Sequence, residues 1–400
     1  MPFTSCGGCL KNIFITEAEI IDRYVGNQLW LWGCSAAYQL GNNSSTSRSS
    51  PVQTVSTATN WKQVSLGFLH SAAIKTDGTL WLWGTQGSSG AIGRDPSIAQ
   101  EYRSPVQTIS AGNNWKQVSL GVYHSTAVKT DGTLWTWGCG SLLQLGLGQA
   151  EAGNFFSPVQ TISAGNNWKQ VDAGYYHTAG VKTDGTLWLW GDNSSRQLGS
   201  ASSCASIGSP VQTVAGGTNW KQVSLGGCFS AAIKTDGTLW LWGSGACGQL
   251  GENVTTTSRS SPVQTISAGT NWKQVSLGAC HVGAIKTDGT LWTWGTVECA
   301  GIGDNTNIRR SSPVQTVSGG TNWKQVSAGH NGTAAVKTDG SLWIWGSPNA
   351  GRNGDNAVIG RSSPVQTVSG GTNWKQAAVS KTDTSTSICP FSAAITYTES

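Results

Sequence analysis

The sequence predicts an all-β chain folded as a seven-bladed β-propeller, four antiparallel strands to a blade, with the first and last strands sharing one blade. Three observations predict it. The string S-P-V-Q-T occurs seven times, with its proline at Pro51, Pro105, Pro158, Pro210, Pro262, Pro313 and Pro364. N-W-K-Q and L-W-x-W-G also occur seven times each and together hold all 21 tryptophans. The order of these strings is cut unevenly by the chain ends. A fixed period of about 52 residues built from short strand-like units is the signature of a radial array.

One unit reads NWKQVSLGFLHSAAIKTDGTLWLWG, a variable loop, then SPVQTV. The first strand (a) is W-K-Q-V-S-L, alternating polar and apolar. The second (b) is H-S-A-A-I-K-T, and Asp-Gly after it is a strong signal for a two-residue hairpin. The third (c), T-L-W-L-W-G, puts Trp81 and Trp83 on one face and Leu80 and Leu82 on the other. Both faces are apolar, as expected of a blade packed on both sides. The fourth (d), P-V-Q-T-V, starts with a proline, which suits an outer strand. No helical period appears in the repeat.

The ends of the chain predict how the ring closes. The first L-W-L-W-G (Leu29–Gly33) has no strands a and b before it, and the last N-W-K-Q has no L-W-x-W-G after it. Phe391-Ser-Ala-Ala-Ile-Thr matches His70-Ser-Ala-Ala-Ile-Lys. The C-terminus therefore supplies a and b, and the N-terminus c and d, leaving no open edge.

Composition narrows the function classes. Charged residues are 11% of the chain, Gly numbers 53, and the net charge is +5. Too few cations cluster to suggest a nucleic-acid surface, since no Lys/Arg run exceeds Arg309-Arg310. No apolar stretch is long enough for a membrane span. The start, MPFTSCGGCLKNIFI, is not read as a signal peptide, so synthesis in a cytoplasm is expected. That lowers the expectation of disulfides despite ten Cys. No nucleophile–base pair, phosphate loop or carboxylate pair stands out. The chain is read as a non-enzymatic binding or structural module with no catalytic residue, cofactor or metal.

These motifs resemble the repeat family of the regulator of chromosome condensation, whose repeats run W-x-x-V-x-x-G-x-x-H, D-G-x-L-W-x-W-G, Q-L-G, then P. Four copies carry the histidine (His70, His124, His177, His281) and four the Q-L-G element (Gln39, Gln144, Gln197, Gln249), the latter replaced at Ala91 and Gly301. The resemblance covers residues 27–397 and implies a seven-bladed, partner-binding propeller. It also implies that the histidines pack and hydrogen-bond rather than hold a metal. The basic tail and strong repeat divergence of the family's exchange factor are missing. The near-identical wording of the copies, with FITEAEIIDRYV before them, looks most like repeat proteins of tailed bacteriophages.

Comparing the seven copies locates the expected binding face. The c–d loops and the short a–b turns vary, while strands a and c and the K-T-D-G turn hardly change. Strand direction puts both variable sets on one rim, the upper one. Binding residues concentrate in loops on a rigid scaffold. The candidates are Phe68, Leu69, Tyr102, Arg103, Tyr123, Phe155, Phe156, Tyr175, Tyr176, Arg196, Phe229, Arg309, His330 and Asn331. On the lower rim, Lys75 and Asp77 and their repeats form a ring of paired charges, read as a solvated face or a docking surface. Three same-face cysteine pairs on the upper side are candidates for disulfides, with free thiols as the alternative: Cys34–Cys389 across the seam, Cys228–Cys247 and Cys280–Cys299. Cys6-Gly-Gly-Cys9 is too little for a zinc site.

Residues 1–26 stand outside the repeats as an extension before a propeller of residues 27–400. Thr16-Glu-Ala-Glu19 is a capping box that predicts a short helix over 17–24. The leading expectation is a phage virion component (tail fibre, spike or decoration protein), made in the host cytoplasm. Its loop rim would meet a protein or cell-surface ligand, and residues 1–26 or the K-T-D-G rim would meet other virion proteins. The alternative is a cytoplasmic adaptor or inhibitor using the same rim.

Overall fold

A computed structural model of the chain describes residues 26–397, except 96, 98–99, 111, 164, 203, 256–257, 267–268, 297–301, 348, 358, 369–370 and 382–388. The expected helix over 17–24 lies outside the described residues.

The described chain forms seven four-stranded antiparallel sheets. In a representative blade the strands are Trp61–Leu66 (a), His70–Lys75 (b), Leu80–Thr85 (c) and Glu101–Gln107 (d), in that order from the channel outward. The seam blade has the order Arg48–Gln53, Leu29–Gly33, Phe391–Thr396, Trp374–Val379. Leu29 stands opposite Ile395 and Gly33 opposite Phe391, so N- and C-terminal strands share one sheet as the split repeat predicts. Strand d starts before its proline (Arg48 against Pro51) and lies at the sheet edge, where the missing N–H costs nothing.

Three sets of side chains hold neighbouring blades together, and each uses a repeated letter. The second tryptophan of L-W-x-W-G is wholly buried and reaches back one blade. Trp83 Nε1 donates to the Gln39 carbonyl at 2.8 Å, and Trp190 to Gln144 at 3.0 Å. The Q-L-G element folds by its own glutamine, as Gln39 Oε1 accepts from the Ala37 amide at 2.8 Å. The four histidines reach forward one blade. His70, His124, His177 and His281 meet Ser125, Thr178, Ser230 and Thr333 through Nε2 at 2.9–3.2 Å. Burial lowers each of the four pKa values to about 3, so these are neutral core histidines, as the family pattern implies.

The third set closes a ring round the channel. Strand a of every blade lines this channel, a cavity of about 250 Å³. The glutamine of N-W-K-Q clamps the backbone of the next blade's strand a. Gln63 Nε2 donates to the Val118 carbonyl at 2.9 Å, and its Oε1 accepts from the Val118 amide at 3.1 Å. The same pair of bonds recurs from Gln117, Gln170, Gln222, Gln274 and Gln325, and Gln376 completes the circle on Val64. Replacing Gln170 by Ala strands the amide and carbonyl of Val223 at a blade interface. A loss of about 2 kcal/mol is expected from two unsatisfied backbone groups, measured as a lowered urea midpoint with unchanged slope.

The K-T-D-G turn departs from the expected two-residue hairpin. Lys75 N donates to Thr79 O and Gly78 N to Lys75 O, both at 3.0 Å, so the loop has three residues, Thr76 to Gly78. Only the glycine takes positive φ (+80° at Gly78), whereas a two-residue Asn-Gly or Asp-Gly type I′ turn needs it at both central positions. A Cβ on Gly78 would stand 2.0 Å from the Asn113 carbonyl of the next blade's lead-in. Asp77 accepts from the amide and hydroxyl of Thr79, and Thr79 in turn accepts from Trp81 Nε1. The charge of Lys75 also acts on Asp77, more weakly than these bonds, and among the described residues no direct ion pair joins the two. Lys75 lies over the rings of Trp61 and Trp81, at 5.1 and 4.2 Å, and its five repeats do the same on their own tryptophans.

Candidate binding face

Register puts the variable segments on one side of the disc. The residue before strand b accepts a hydrogen bond from the residue that follows or ends strand c. Thr85 N donates to Leu69 O, Cys139 N to Tyr123 O, Asp192 N to Tyr176 O and Ser347 N to Asn331 O. Each a–b turn therefore leaves the sheet beside the start of its own c–d loop. The expected geometry of the upper rim holds.

The candidates divide by burial. Phe68, Val122, Tyr175 and Ala279 pack together above the channel, with Leu69, Tyr123 and Tyr176 half-buried against them. Phe68 meets Tyr123 edge-on at 5.8 Å, and Tyr123 lies 6.3 Å from Tyr176. Buried His330 accepts or donates at Nδ1 with Tyr175 Oη, 3.1 Å away, joining opposite sides of the ring. Leu69, Tyr123 and Tyr176 thus form an arc over three adjacent blades, resting on a buried aromatic cap. Outside it, Arg103, Arg196 and Arg309 are exposed. Arg103 lies over the Tyr38 ring at 4.6 Å, and Arg309 donates to the Ala246 carbonyl at 3.2 Å. Phe155 and Phe156 are half-buried at the start of strand d, and Asn331 is half-buried in its turn.

Besides buried Phe68, Tyr175 and His330 of the cap, two candidates are buried within the blades. Phe229 is wholly buried in strand b, at the position His holds in four other blades, and packs in one apolar cluster with Val282. Tyr102 is buried in strand d with the Arg94 guanidinium 5.6 Å over its ring. Neighbouring aromatic and loop letters gave no sign of which side of the strand they fall on.

The cysteines follow register as well. Cys34 and Cys389 form a disulfide with Cα atoms 5.2 Å apart. Cys34 stands just past strand c and its amide donates to Pro390 O at 2.9 Å, so the two chains are direct strand neighbours there. The Cys228–Cys247 bridge does not form. Opposite Cys228 stands Ser244, whose amide donates to its carbonyl at 2.9 Å, and Cys247 lies three residues farther along the loop. Cys280 likewise faces Thr296, and its expected partner Cys299 lies outside the described residues. The seam bridge spans 355 residues, so the chain-entropy model assigns it about 5–6 kcal/mol. Reduction, or Cys34→Ser with Cys389→Ser, is expected to lower the melting temperature by several degrees with the ring still closed. Scanning calorimetry with and without reductant checks it.

Sequence reasoning missed an ion pair inside the channel. Five blades have serine at the fifth residue of strand a, and Ser65 Oγ accepts from Leu120 N of the next blade at 3.0 Å. The third blade has Asp172 there. It takes the Ser119 hydroxyl and the Leu225 amide, both at 2.6 Å, and faces Lys381 Nζ at 3.5 Å. Lys381 comes from the a–b connection of the seam blade and also donates to the Ala173 carbonyl, so it crosses the channel. The break from Ser to Asp in an otherwise repeated string was the available signal. Among the described residues no His/Cys/Asp/Glu group has the arrangement to hold a metal, and no helix is long and apolar enough to cross a membrane.

Comparison with known proteins fits this geometry. Residues 6–268 match the RCC1-like domain, and residues 323–352 match the regulator of chromosome condensation (RCC1) repeat. The ultraviolet-B receptor UVR8 of Arabidopsis thaliana is 29% identical over 85% of this chain and 77% of its own length. The probable E3 ubiquitin-protein ligase HERC6 of Homo sapiens is 31% identical over 63% of this chain, which spans only 25% of that protein. Among solved structures, Prp20p of Saccharomyces cerevisiae superposes with a TM-score of 0.80 at 18% identity, covering 94% of this chain and 92% of that one. Human WBSCR16 gives 0.79 at 18%, covering 93% and 99%. At that identity the likeness is one of fold. The match of the domain model across most of the chain, on a closed seven-bladed ring, makes this chain a member of the RCC1-like domain family.

Proposed function

We infer that this propeller is a non-enzymatic binding module that holds a protein or cell-surface ligand on its upper face. The observation that carries this reading is the arc of Leu69, Tyr123 and Tyr176, half-buried side chains on a buried aromatic cap. Rigid aromatic anchors flanked by exposed arginines are the residue types that dominate interface energetics. Family membership agrees, since the work on Prp20p concerns its binding to Gsp1p and histones. One support weakens: the constancy of the K-T-D-G rim follows from contacts such as Gly78 against Asn113, so it is no measure of drift on the other rim.

Two settings fit such a module. A virion component, presenting the loops to a host surface, is favoured by the letter-perfect repetition of N-W-K-Q and S-P-V-Q-T. An intracellular adaptor or inhibitor is favoured by the cellular eukaryotic proteins among the relatives. Sedimentation separates them: a virion component travels with assembled particles at fixed stoichiometry, an adaptor does not. The face is tested by loop exchange. Grafting two or three c–d loops with the Tyr123 and Tyr176 turns onto another propeller should transfer ligand capture. Capture that follows the K-T-D-G turns would overturn the reading.

A further inference from the structure

Many of the repeated letters have a structural partner. Trp61 fills the core, Gln63 clamps the next blade, Lys75 lies between two indoles, and Asp77 holds Thr79. The lysine of N-W-K-Q does not fit this pattern. Lys62 and its six repeats, through Lys375, are all exposed. Among the described residues none of the seven lies within 4 Å of a carboxylate, and only Lys324 has an aromatic neighbour, Tyr397 at 5.8 Å. Packing therefore does not explain why this letter is identical in seven copies, while the link just before it varies as S-T-A-T-N, S-A-G-N-N or S-G-G-T-N.

Position supplies a reason. Trp61 pairs with Lys75 and Gln63 with Ile74, so Lys62 is the extra residue of a β-bulge, and the same irregularity recurs in every blade. Bulges re-aim a side chain and are frequent beside functional sites. Each bulge sits at the lower end of the innermost strand, one residue before a glutamine that lines the channel. Seven exposed lysine positions thus stand at the lower end of the strands that line the channel. The lower-rim acids, Asp77 and its repeats, stand at the hairpin tips, where each is bonded to its own Thr or Ser and has the lysine of its own strand b as charged neighbour.

We propose that this lysine ring binds a compact polyphosphate anion on the propeller axis, at the face opposite the proposed protein-binding rim. Seven like charges at one end of the channel repel, and a multivalent anion at the centre relieves all of them at once. A nucleic-acid duplex laid across the face meets only those along its path. Lysine suits such a ligand, as a compact, mobile point charge needing no planar fork.

The test uses the full chain, with inositol hexakisphosphate and inorganic tripolyphosphate as probes and sulfate at matched ionic strength as control. Calorimetric titration should show saturable binding of one polyphosphate per chain, weakening steeply with salt. Changing Lys62, Lys169, Lys273 and Lys375 to Gln should weaken it at least tenfold without lowering the melting temperature of the free protein. Should that variant fold poorly, Lys116→Gln, Lys221→Gln and Lys324→Gln sample the rest of the ring. Equal binding of sulfate, undiminished affinity in the variants, or preference for a short DNA duplex or an acidic peptide over tripolyphosphate would overturn the proposal. Binding at the upper rim is independent of all these outcomes.

Discussion

A chain ended at residue 385 should lose the whole ring, not one strand. The cut removes Phe391–Thr396, which lies between Trp374–Val379 and Leu29–Gly33 in the seam sheet. Both neighbours lose their ladder partner, and the N-terminal strands are left attached to nothing but adjacent blades. Phe391, Ala393 and Ile395 also leave the largest apolar cluster, which continues into the next blade through Leu80, Leu82 and Trp83. Burying one large side chain is worth a few kcal/mol, and several go together with the Cys34–Cys389 bridge. A domain's net stability is only about 5–15 kcal/mol, so a soluble folded monomer is not expected. Loss of the sharp thermal transition by circular dichroism is the predicted result. A truncated chain that melts as the intact one would show that the seam does not hold the ring.

How much of this was legible follows from the period. Strand c could be read almost to the residue because its two tryptophans and two leucines answer to two neighbouring blades at once. Closure was legible because an unfinished repeat at each end leaves one way to complete a blade. The turn was misread because Asp-Gly is ambiguous between a two-residue loop and a three-residue loop with glycine last. The glycine itself answers to Asn113 of the next blade, whose carbonyl leaves no room for a Cβ, a contact remote from the turn in sequence.

The binding face was legible only in outline. Strand direction placed the variable loops together, but loop letters do not show depth. Tyr175 and Tyr176 are adjacent, yet one is buried in the cap and the other half-buried against it. Cysteine pairing failed where equal spacing was taken for proximity. Register decides it, and Cys34 succeeds by standing beside the strand that carries Cys389. The Asp172–Lys381 pair joins residues from blades on different sides of the channel and has no local signature beyond the broken repeat.

Acid should unfold the propeller steeply and well above pH 3, because of the four inter-blade histidines. Each is buried, with its pKa lowered by desolvation from 6.5 to about 3. The unfolded chain therefore binds protons that the folded chain refuses between those two values. Stability from this source is fully present above about pH 6.5 and is lost as pH falls toward 3, at about 1.4 kcal/mol per pH unit for each histidine. The exposed turn aspartates, held below their usual value chiefly by bonds to Thr79 and its repeats, act in the same direction but only below 3.8. The protein carries its own control. Where His is replaced by Phe229, the facing residue of the next blade is Val282 in place of Ser or Thr. Copying that pair as His281→Phe with Thr333→Val should leave the fold intact. It should reduce the slope of unfolding free energy against pH, between 4 and 6, by about one proton's worth, or 1.4 kcal/mol per unit. Urea titrations across that range decide the matter, and an unchanged slope would show that His281 is protonated in the folded ring.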